Sequence, residues 1–233
     1  MTRYSFFHRL LDLISPSSCS CCGNRLAQQE CFICLSCLRH LPYTQHINNL
    51  YENELTKLFW RRAPIERAAA LYYHQPHTES AKIIYSIKYG NRHELGEYMG
   101  RMMADMFTRS GLFESVTGII PVPLARKRER SRGYNQSYQL AKGIADITHI
   151  PIYNKVLKRT SFTKSQTLLS QSERHDNVEG AFELVKNVDL SHEHILLIDD
   201  VVTTGATLCT CIQTLMKANA RQFSVASLCF TKV

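Results

Sequence analysis

The chain has 233 residues, of which 44% are hydrophobic and 21% charged, values ordinary for a globular protein with one buried domain and a small appendage. A formal net charge of +8 favours polyanionic partners, such as nucleic acid or a phosphorylated small molecule. No long apolar run is present, so the sequence predicts no membrane span. Nine cysteines, an odd number without a recognisable secretory signal, favour a reducing cytoplasm over a disulfide framework.

The first structural signal is a short amphipathic helix that ends before Pro16. Its apolar residues recur at helical spacing and comprise Phe6, Phe7, Leu10, Leu11 and Ile14. We expect this helix to pack on the protein, because its polar residues lack the lysine and arginine cluster that is typical of a membrane-surface helix.

Most of the cysteines lie between positions 19 and 37. Two C-x-x-C pairs in this segment can clamp a tetrahedral zinc ion, and together they comprise Cys19, Cys22, Cys34 and Cys37. Four thiolates complete the coordination, so the predicted site is structural. Cys21 and Cys31 leave alternatives open, because Cys31 and Cys34 have the same spacing and a set of buried or redox-active thiols needs no metal. The remaining cysteines are predicted packing residues: Cys209, Cys211 and Cys229.

The chain divides into three predicted zones. Residues 1–45 contain the N-terminal helix and the zinc module, residues 46–64 form a connector with a short helix at 52–60, and residues 65–233 form the main domain. In the main domain, strands are predicted at residues 68–74, 116–122, 156–158, 195–198 and 223–230, and helices at 78–88, 93–110, 136–148 and 206–219. This alternation predicts an α/β fold with a mostly parallel sheet and helices on both faces.

The most specific segment is residues 195–207. Four apolar residues predict a buried central strand, Asp199 and Asp200 follow them, and a threonine-glycine loop then opens a helix. Ligands of open α/β sheets bind beyond the carboxyl ends of the strands, where backbone N–H groups and the helix dipole attract phosphate. The predicted phosphate-binding residues are Val202, Thr203, Thr204, Gly205, Ala206 and Thr207. Because aspartates repel phosphate, we expect the pair to contact ribose hydroxyls or hydrated Mg²⁺.

A second candidate site is a basic segment. It comprises Arg126, Lys127, Arg128, Arg130 and Arg132, followed by Tyr134, Asn135 and Gln136. This composition suits the phosphates of a nucleic acid with stacking on the tyrosine, or a pyrophosphate group, although an ordinary solvated surface is the alternative. Lys88 ends a predicted helix, and it either reaches the site or interacts with the helix dipole. Residues 159–166 predict a loop that can close over a ligand.

Taken together, these motifs resemble the ComF family of competence proteins, and residues 195–207 resemble the phosphoribosyl pyrophosphate (PRPP) signature of type I phosphoribosyltransferases. The matching segments are residues 10–14, 19–22, 34–42, 87–89, 120–123, 132–136, 159–169, 174–182 and 195–207. The resemblance implies a phosphoribosyltransferase-like main domain, an N-terminal zinc module, and a role in natural transformation after DNA enters the cell. It also implies that Asp199 and Asp200 hold ribose hydroxyls while residues 203–207 cradle the 5′-phosphate.

Two functional hypotheses follow from the residues and the resemblance. In the first, the protein handles imported single-stranded DNA in the cytoplasm, the basic segment tracks the phosphates with Tyr134 near the bases, and the loop holds PRPP or another ribose phosphate. A helicase of the DNA-uptake machinery is an implied partner. In the second, the protein is a Mg²⁺-dependent phosphoribosyltransferase that uses PRPP and an unknown acceptor, with Asp199 and Asp200 as catalytic residues.

Overall fold

The computed structural model describes residues 17–76, 78–160, 181–185 and 188–232. The predicted N-terminal helix therefore lies outside the described residues, as does the predicted loop from residue 161 onward.

A four-stranded parallel sheet forms the centre of the fold, with the spatial order β1-β6-β5-β2. Its strands are β1 (Arg67–Tyr73), β2 (Gly118–Pro121), β5 (His194–Val202) and β6 (Gln222–Phe230). A separate antiparallel pair consists of β3 (Leu157–Arg159) and β4 (Phe182–Leu184). Strand β5 is paired along both of its edges, which makes it an interior strand of the sheet.

Helices connect and cover these strands. They are α1 (Leu35–Arg39), α2 (Glu54–Lys57), α3 (Glu79–Tyr89), α4 (His93–Thr108), α5 (Arg126–Arg132), α6 (Gln136–Thr148) and α7 (Ala206–Met216). Among the helices within the described ranges, none combines the length and the apolar character needed to span a membrane.

Alternating residues of each strand supply two hydrophobic cores, one on each face of the sheet. In β5, Leu196 and Ile198 pack with α3, α4 and α6, whereas Ile195 and Leu197 pack with α2 and α7. Because side chains point to opposite faces with a period of two, a strand covered by helices on both sides must be apolar throughout. The predicted α/β fold with a parallel sheet between helical layers is confirmed.

Most predicted elements differ from the observed ones only at their ends, and the helix predicted at 136–148 coincides with α6. Strand β5 is longer than the predicted 195–198, because residues 199–202 continue to pair with β6. The connector helix predicted at 52–60 is reduced to α2, which has a capping box between Asn53 and Thr56. The basic segment forms α5, for which no element was predicted.

Residues 42–50, which join the end of the first predicted zone to the start of the connector, run antiparallel to β1 and cover the free edge of the sheet. Thr44 N–H donates to Leu71 O over 3.0 Å, and Tyr73 N–H donates to Pro42 O over 2.8 Å. Leu50 accepts from Ala68 N–H over 3.0 Å. Covering an edge strand removes a site of non-native pairing. The zone boundaries at residues 45 and 64 stay predictions, and hydrogen bonds cross both of them.

Helices α4 and α6 approach each other closely through two glycines. A Cβ atom on Gly100 would lie 2.2 Å from Leu140 O, and one on Gly143 would lie 2.0 Å from Glu97 O. Both carbonyl oxygens belong to helix backbones, which cannot move aside as the end of a flexible side chain can. The contact therefore fixes the position of α6, whose N-terminus adjoins the candidate site.

We predict that Gly143→Ala destabilises the protein, because the added methyl group must push α4 and α6 apart. Overpacking of this kind costs about 1–3 kcal/mol, which corresponds to a fall in Tm of roughly 2–12 °C for a chain of this size. Asp105→Ala, at an exposed position of α4, is the control. Equal melting temperatures for the two variants would contradict the packing argument.

Candidate functional site

A tight turn joins β5 to α7 at the carboxyl edge of the sheet. Gly205 has φ +71°, a conformation that L-residues with side chains rarely adopt, and it immediately precedes the first residue of α7. No side chain caps this helix N-terminus. The first backbone N–H groups of a helix have no partner within the helix and carry the positive end of its dipole, so the turn can receive an anion.

The predicted phosphate-binding residues surround this turn. Thr203 and Thr204 are exposed, whereas Ala206 and Thr207 are half-buried at the start of α7. Val202 is buried and pairs with Phe230, so its backbone belongs to the paired part of β5 and not to the turn. Sequence reasoning missed Arg62, whose guanidinium donates to Thr204 O over 2.7 Å and to Leu58 O over 2.9 Å. This contact joins segments far apart in the chain, and nothing in the local pattern indicates it.

The two aspartates lie within the last part of β5, close to the turn, and both are half-buried. Asp199 Oδ1 accepts from Ser137 Oγ over 3.2 Å and from Asp200 N–H over 2.9 Å. Desolvation by the surrounding protein and the charge of Asp200 raise the pKa of Asp199 to about 7. Asp199 therefore keeps its proton to a higher pH than an ordinary aspartate, and in its protonated form it can donate to a sugar hydroxyl as well as accept from one.

Lys88 completes the acidic site. Its Nζ lies 3.1 Å from Asp200 Oδ2, and both side chains are largely buried. Sequence analysis left open whether Lys88 reaches the site or only interacts with the dipole of its helix. The ion pair shows that the last turn of α3 brings Lys88 to the aspartates of β5.

Helix α5 carries the predicted basic residues on the surface. Arg126, Lys127, Arg128 and Arg130 are exposed, and no side chain of this helix is buried. Gly133 ends the helix in the left-handed conformation, with φ +79°. A groove of about 440 Å³ lies between α5 and β3, lined in part by Arg126, Tyr138, Asn154, Lys158 and Arg159.

The three residues predicted after the basic run have internal contacts. Tyr134 is only 9% exposed, and its hydroxyl donates to Ile87 O. Asn135 caps α6 by accepting from Ser137 N–H over 3.1 Å. Gln136 is buried and accepts from Arg132 over 2.8 Å. These side chains hold α5 and α6 in place, and the ring of Tyr134 offers little surface to a base.

The cysteine cluster has the dimensions of a tetrahedral metal site. The Sγ atoms of Cys19, Cys22, Cys34 and Cys37 all lie within 4.8 Å of one another. Cys22 Sγ and Cys34 Sγ are 3.8 Å apart. Zinc–sulfur bonds of about 2.3 Å in a tetrahedron separate the sulfurs by about 3.8 Å, so the geometry fits Zn²⁺.

Backbone amides support the same thiols. Cys21 N–H and Cys34 N–H donate to Cys19 Sγ over 3.4 and 3.3 Å, and Cys37 N–H donates to Cys34 Sγ over 3.4 Å. Such bonds stabilise thiolates and fix their orientation. Cys21 is buried and Cys31 exposed, and neither belongs to the four-sulfur group. Burial confirms the packing role predicted for Cys209, Cys211 and Cys229.

No protein-family profile matches the chain. Several solved structures overlap with part of it, including the following three. One, described as the allosteric regulatory enzyme of purine biosynthesis, is 20% identical with a TM-score of 0.41, covering 58% of this chain and 26% of the other. A glutamine PRPP amidotransferase from Bacillus subtilis is also 20% identical, with a TM-score of 0.38 and the same coverage of the two chains. A hypoxanthine phosphoribosyltransferase from Trypanosoma cruzi is 12% identical with a TM-score of 0.33, covering 61% of this chain and 78% of the other. Overlaps this weak carry no argument about the site.

Curated relatives match by sequence. Competence protein F of Haemophilus influenzae is 37% identical over 111 residues, which cover 47% of this chain and 48% of the relative. The DNA utilization protein YhgH of Escherichia coli K12 is 30% identical over 152 residues, covering 64% and 66%. Competence protein ComFC of Bacillus subtilis is 36% identical over 91 residues, covering 39% and 34%. Thus the matches span about half to two thirds of the first two relatives. With its parallel α/β fold and four-cysteine cluster, the chain is homologous to the ComF group of competence proteins.

Proposed function

We propose that this protein binds PRPP or a related ribose phosphate, together with Mg²⁺, at the carboxyl edge of β5, and that it binds single-stranded DNA along α5. The observation that carries the proposal is the placement of Asp199 and Asp200 beside an uncapped helix N-terminus, with Lys88 paired to Asp200. The names of the relatives, competence protein and DNA utilization protein, support a role in handling imported DNA in the cytoplasm.

In this proposal, the phosphate group lies at the turn between β5 and α7. Backbone N–H groups at the start of α7 and the hydroxyls of Thr203, Thr204 and Thr207 donate to its oxygens. The ribose hydroxyls lie toward β5, where Asp199 and Asp200 provide acceptors. This arrangement keeps the carboxylates away from the phosphate, which they repel.

Mg²⁺ fits the same residues, because carboxylate oxygens and water are the ligands that this ion prefers. Asp199 and Asp200 would hold the ion, directly or through water. When bound, the ion would neutralise charge on the pyrophosphate group. Lys88 holds Asp200 in position in the absence of ligand and supplies a second positive charge at this edge of the sheet.

Helix α5 is the proposed DNA contact. Its exposed basic side chains suit the phosphate backbone, which provides affinity without sequence preference. The groove beside it has further cations in Lys158 and Arg159, and amide and hydroxyl groups in Asn154 and Tyr138. A DNA-uptake helicase is the proposed protein partner.

Phosphoribosyl transfer is a second candidate, favoured by the presence of both aspartates and the complete threonine-glycine turn. In such a reaction, positioning and stabilisation of the leaving pyrophosphate would be the contributions of this site. Pyrophosphate release, measured with PRPP, Mg²⁺ and either single-stranded DNA or free nucleobases, would separate an enzyme from a binding protein.

We predict that PRPP with Mg²⁺ raises Tm, and that the near-isosteric double variant Asp199→Asn/Asp200→Asn loses the shift. Ligand at a hundredfold excess over Kd stabilises by about 2.7 kcal/mol, or roughly 5–10 °C here. Asp105→Asn is the matched control at an exposed position. An equal shift in the double variant, or with inorganic phosphate alone, would show that the aspartates do not hold the ribose.

We predict that affinity for single-stranded DNA falls steeply between low and moderate salt. Each lost phosphate contact reduces the salt slope by about 0.7, so the triple alanine variant of Arg126, Arg128 and Arg130 should reduce it by about 2. The control triple replaces cations that follow the carboxyl-terminal ends of α4 and α7, at the opposite edge of the sheet: Arg109, Lys217 and Arg221. Equal slopes for both triples would exclude α5 as the DNA contact.

We predict about one zinc ion per chain, measured by elemental analysis of the purified protein. Cys34→Ser should abolish binding and lower Tm, because a structural zinc contributes folding free energy directly. Cys31→Ser removes an exposed thiol outside the cluster and should retain the metal. Loss of zinc in Cys31→Ser with retention in Cys34→Ser would overturn the ligand assignment.

A further inference from the structure

One face of α3 presents aromatic rings to solvent. Tyr85 is 59% exposed and Tyr89 is 70% exposed, and Lys82 is exposed on the same face at helical spacing. The opposite face of the helix is buried, through residues that include Ile83 and Ile87. Folding of the described chain therefore uses the other side of α3 and leaves these two rings available.

The two rings form an ordered pair. Their centroids are 6.2 Å apart with an angle of 28° between the planes, which is a stacked arrangement. The guanidinium carbon of Arg132, in the last turn of α5, lies 5.3 Å from the centroid of the Tyr89 ring. Arg132 also donates to Gln136 over 2.8 Å, so its position is fixed from the buried side.

Charge indicates what this surface binds. Tyr89 contacts α5 through Arg132, and in that helix five basic residues accompany a single acidic one. Lys82 precedes the pair on the same face of α3. An aromatic surface next to dense positive charge suits a ligand that alternates flat rings with phosphates. Single-stranded nucleic acid has this composition, and base–aromatic stacking is the usual means by which proteins bind it without sequence preference.

We propose that Tyr85 and Tyr89 form a base-stacking platform for single-stranded nucleic acid whose phosphates contact α5. The inference rests on the proposed DNA binding. It assigns base stacking to Tyr85 and Tyr89 in place of Tyr134, because the ring of Tyr134 is buried whereas these two rings are exposed. Lys88, between the two tyrosines in sequence, contacts Asp200, so α3 joins the platform to the ribose-phosphate site.

The experiment compares two oligonucleotides of equal length and charge, a twelve-residue thymidine strand and the same backbone without bases. Wild type is expected to bind the thymidine strand more tightly, by about 5- to 150-fold for each stacked base. In Tyr85→Leu/Tyr89→Leu this preference should disappear, while affinity for the backbone without bases stays unchanged. Tyr85→Phe/Tyr89→Phe retains the rings and should retain the preference. Tyr51→Leu, at a 62% exposed position in the connector, is the control.

The possible outcomes distinguish the stacking platform from the proposed DNA binding along α5. A preference for bases that survives in the leucine variant would overturn the platform and leave the tyrosines as a protein-contact surface. Equal binding of the two oligonucleotides by wild type would also overturn it, while DNA binding through α5 would stand. If wild type bound neither oligonucleotide, both the stacking platform and the proposed DNA binding through α5 would be wrong.

Crosslinking gives a second measurement. A strand containing bromodeoxyuridine, irradiated in the complex, is expected to attach to the tryptic peptides 83–88 or 89–92, which contain one tyrosine of the pair each. Attachment to Tyr134 or Tyr138 instead would contradict the platform and assign the stacking role to the segment after α5.

Discussion

Strand β5 holds the candidate site in position, because both of its edges are paired. Residues 195–198 are bonded between β2 and β6, and residues 199–202 continue along β6 to the edge of the sheet. A strand held in this way cannot shift its register without exposing an apolar face. The positions of Asp199 and Asp200 relative to the glycine turn are therefore set by the core, before any ligand is bound.

Negative charge is concentrated at the carboxyl end of β5, and this is the second constraint on the candidate site. Two adjacent carboxylates in a partly desolvated position are unfavourable unless a proton or a cation accompanies them. The structure answers both needs, since burial and the charge of Asp200 raise the pKa of Asp199, which favours its protonated form, and Lys88 pairs with Asp200. In the proposed function, a ribose phosphate with Mg²⁺ would supply hydroxyl donors and positive charge to the same groups.

Helix α3 connects the parts of the molecule. Its first residue, Glu79, lies 3.6 Å from Cys37 Sγ in the cysteine cluster, and its last turn carries Lys88 to the aspartates. Between these ends, its exposed face carries the stacked tyrosines. The cluster also contacts α4, where Phe32 packs on Tyr98 at 5.6 Å. The cysteine-bearing segment therefore touches both α3 and α4, the helices that pack on the same face of the sheet.

Local pattern determined much of this protein. Four apolar residues before two aspartates and a threonine-glycine turn are enough to predict an interior strand, a turn and a helix. The spacing of the C-x-x-C pairs is enough to predict a four-thiol site, although Cys31 and Cys34 have the same spacing and only the structure separates Cys31 from the cluster. These features depend on residues close together in the chain, whose periodicity and turn geometry are fixed locally. Helix α6 was predicted to the residue for the same reason.

Tertiary structure decided which side chains meet and which face outward. Lys88 and Arg62 reach β5 and its turn from distant elements. The sequence left two roles open for Lys88, and no local pattern indicates Arg62. The sequence predicted Tyr134 as the stacking residue, yet its ring is buried and its hydroxyl contacts Ile87, whereas Tyr89 is exposed. Burial depends on how helices pack across the sheet, where close contacts such as Gly100 against α6 set the helix positions.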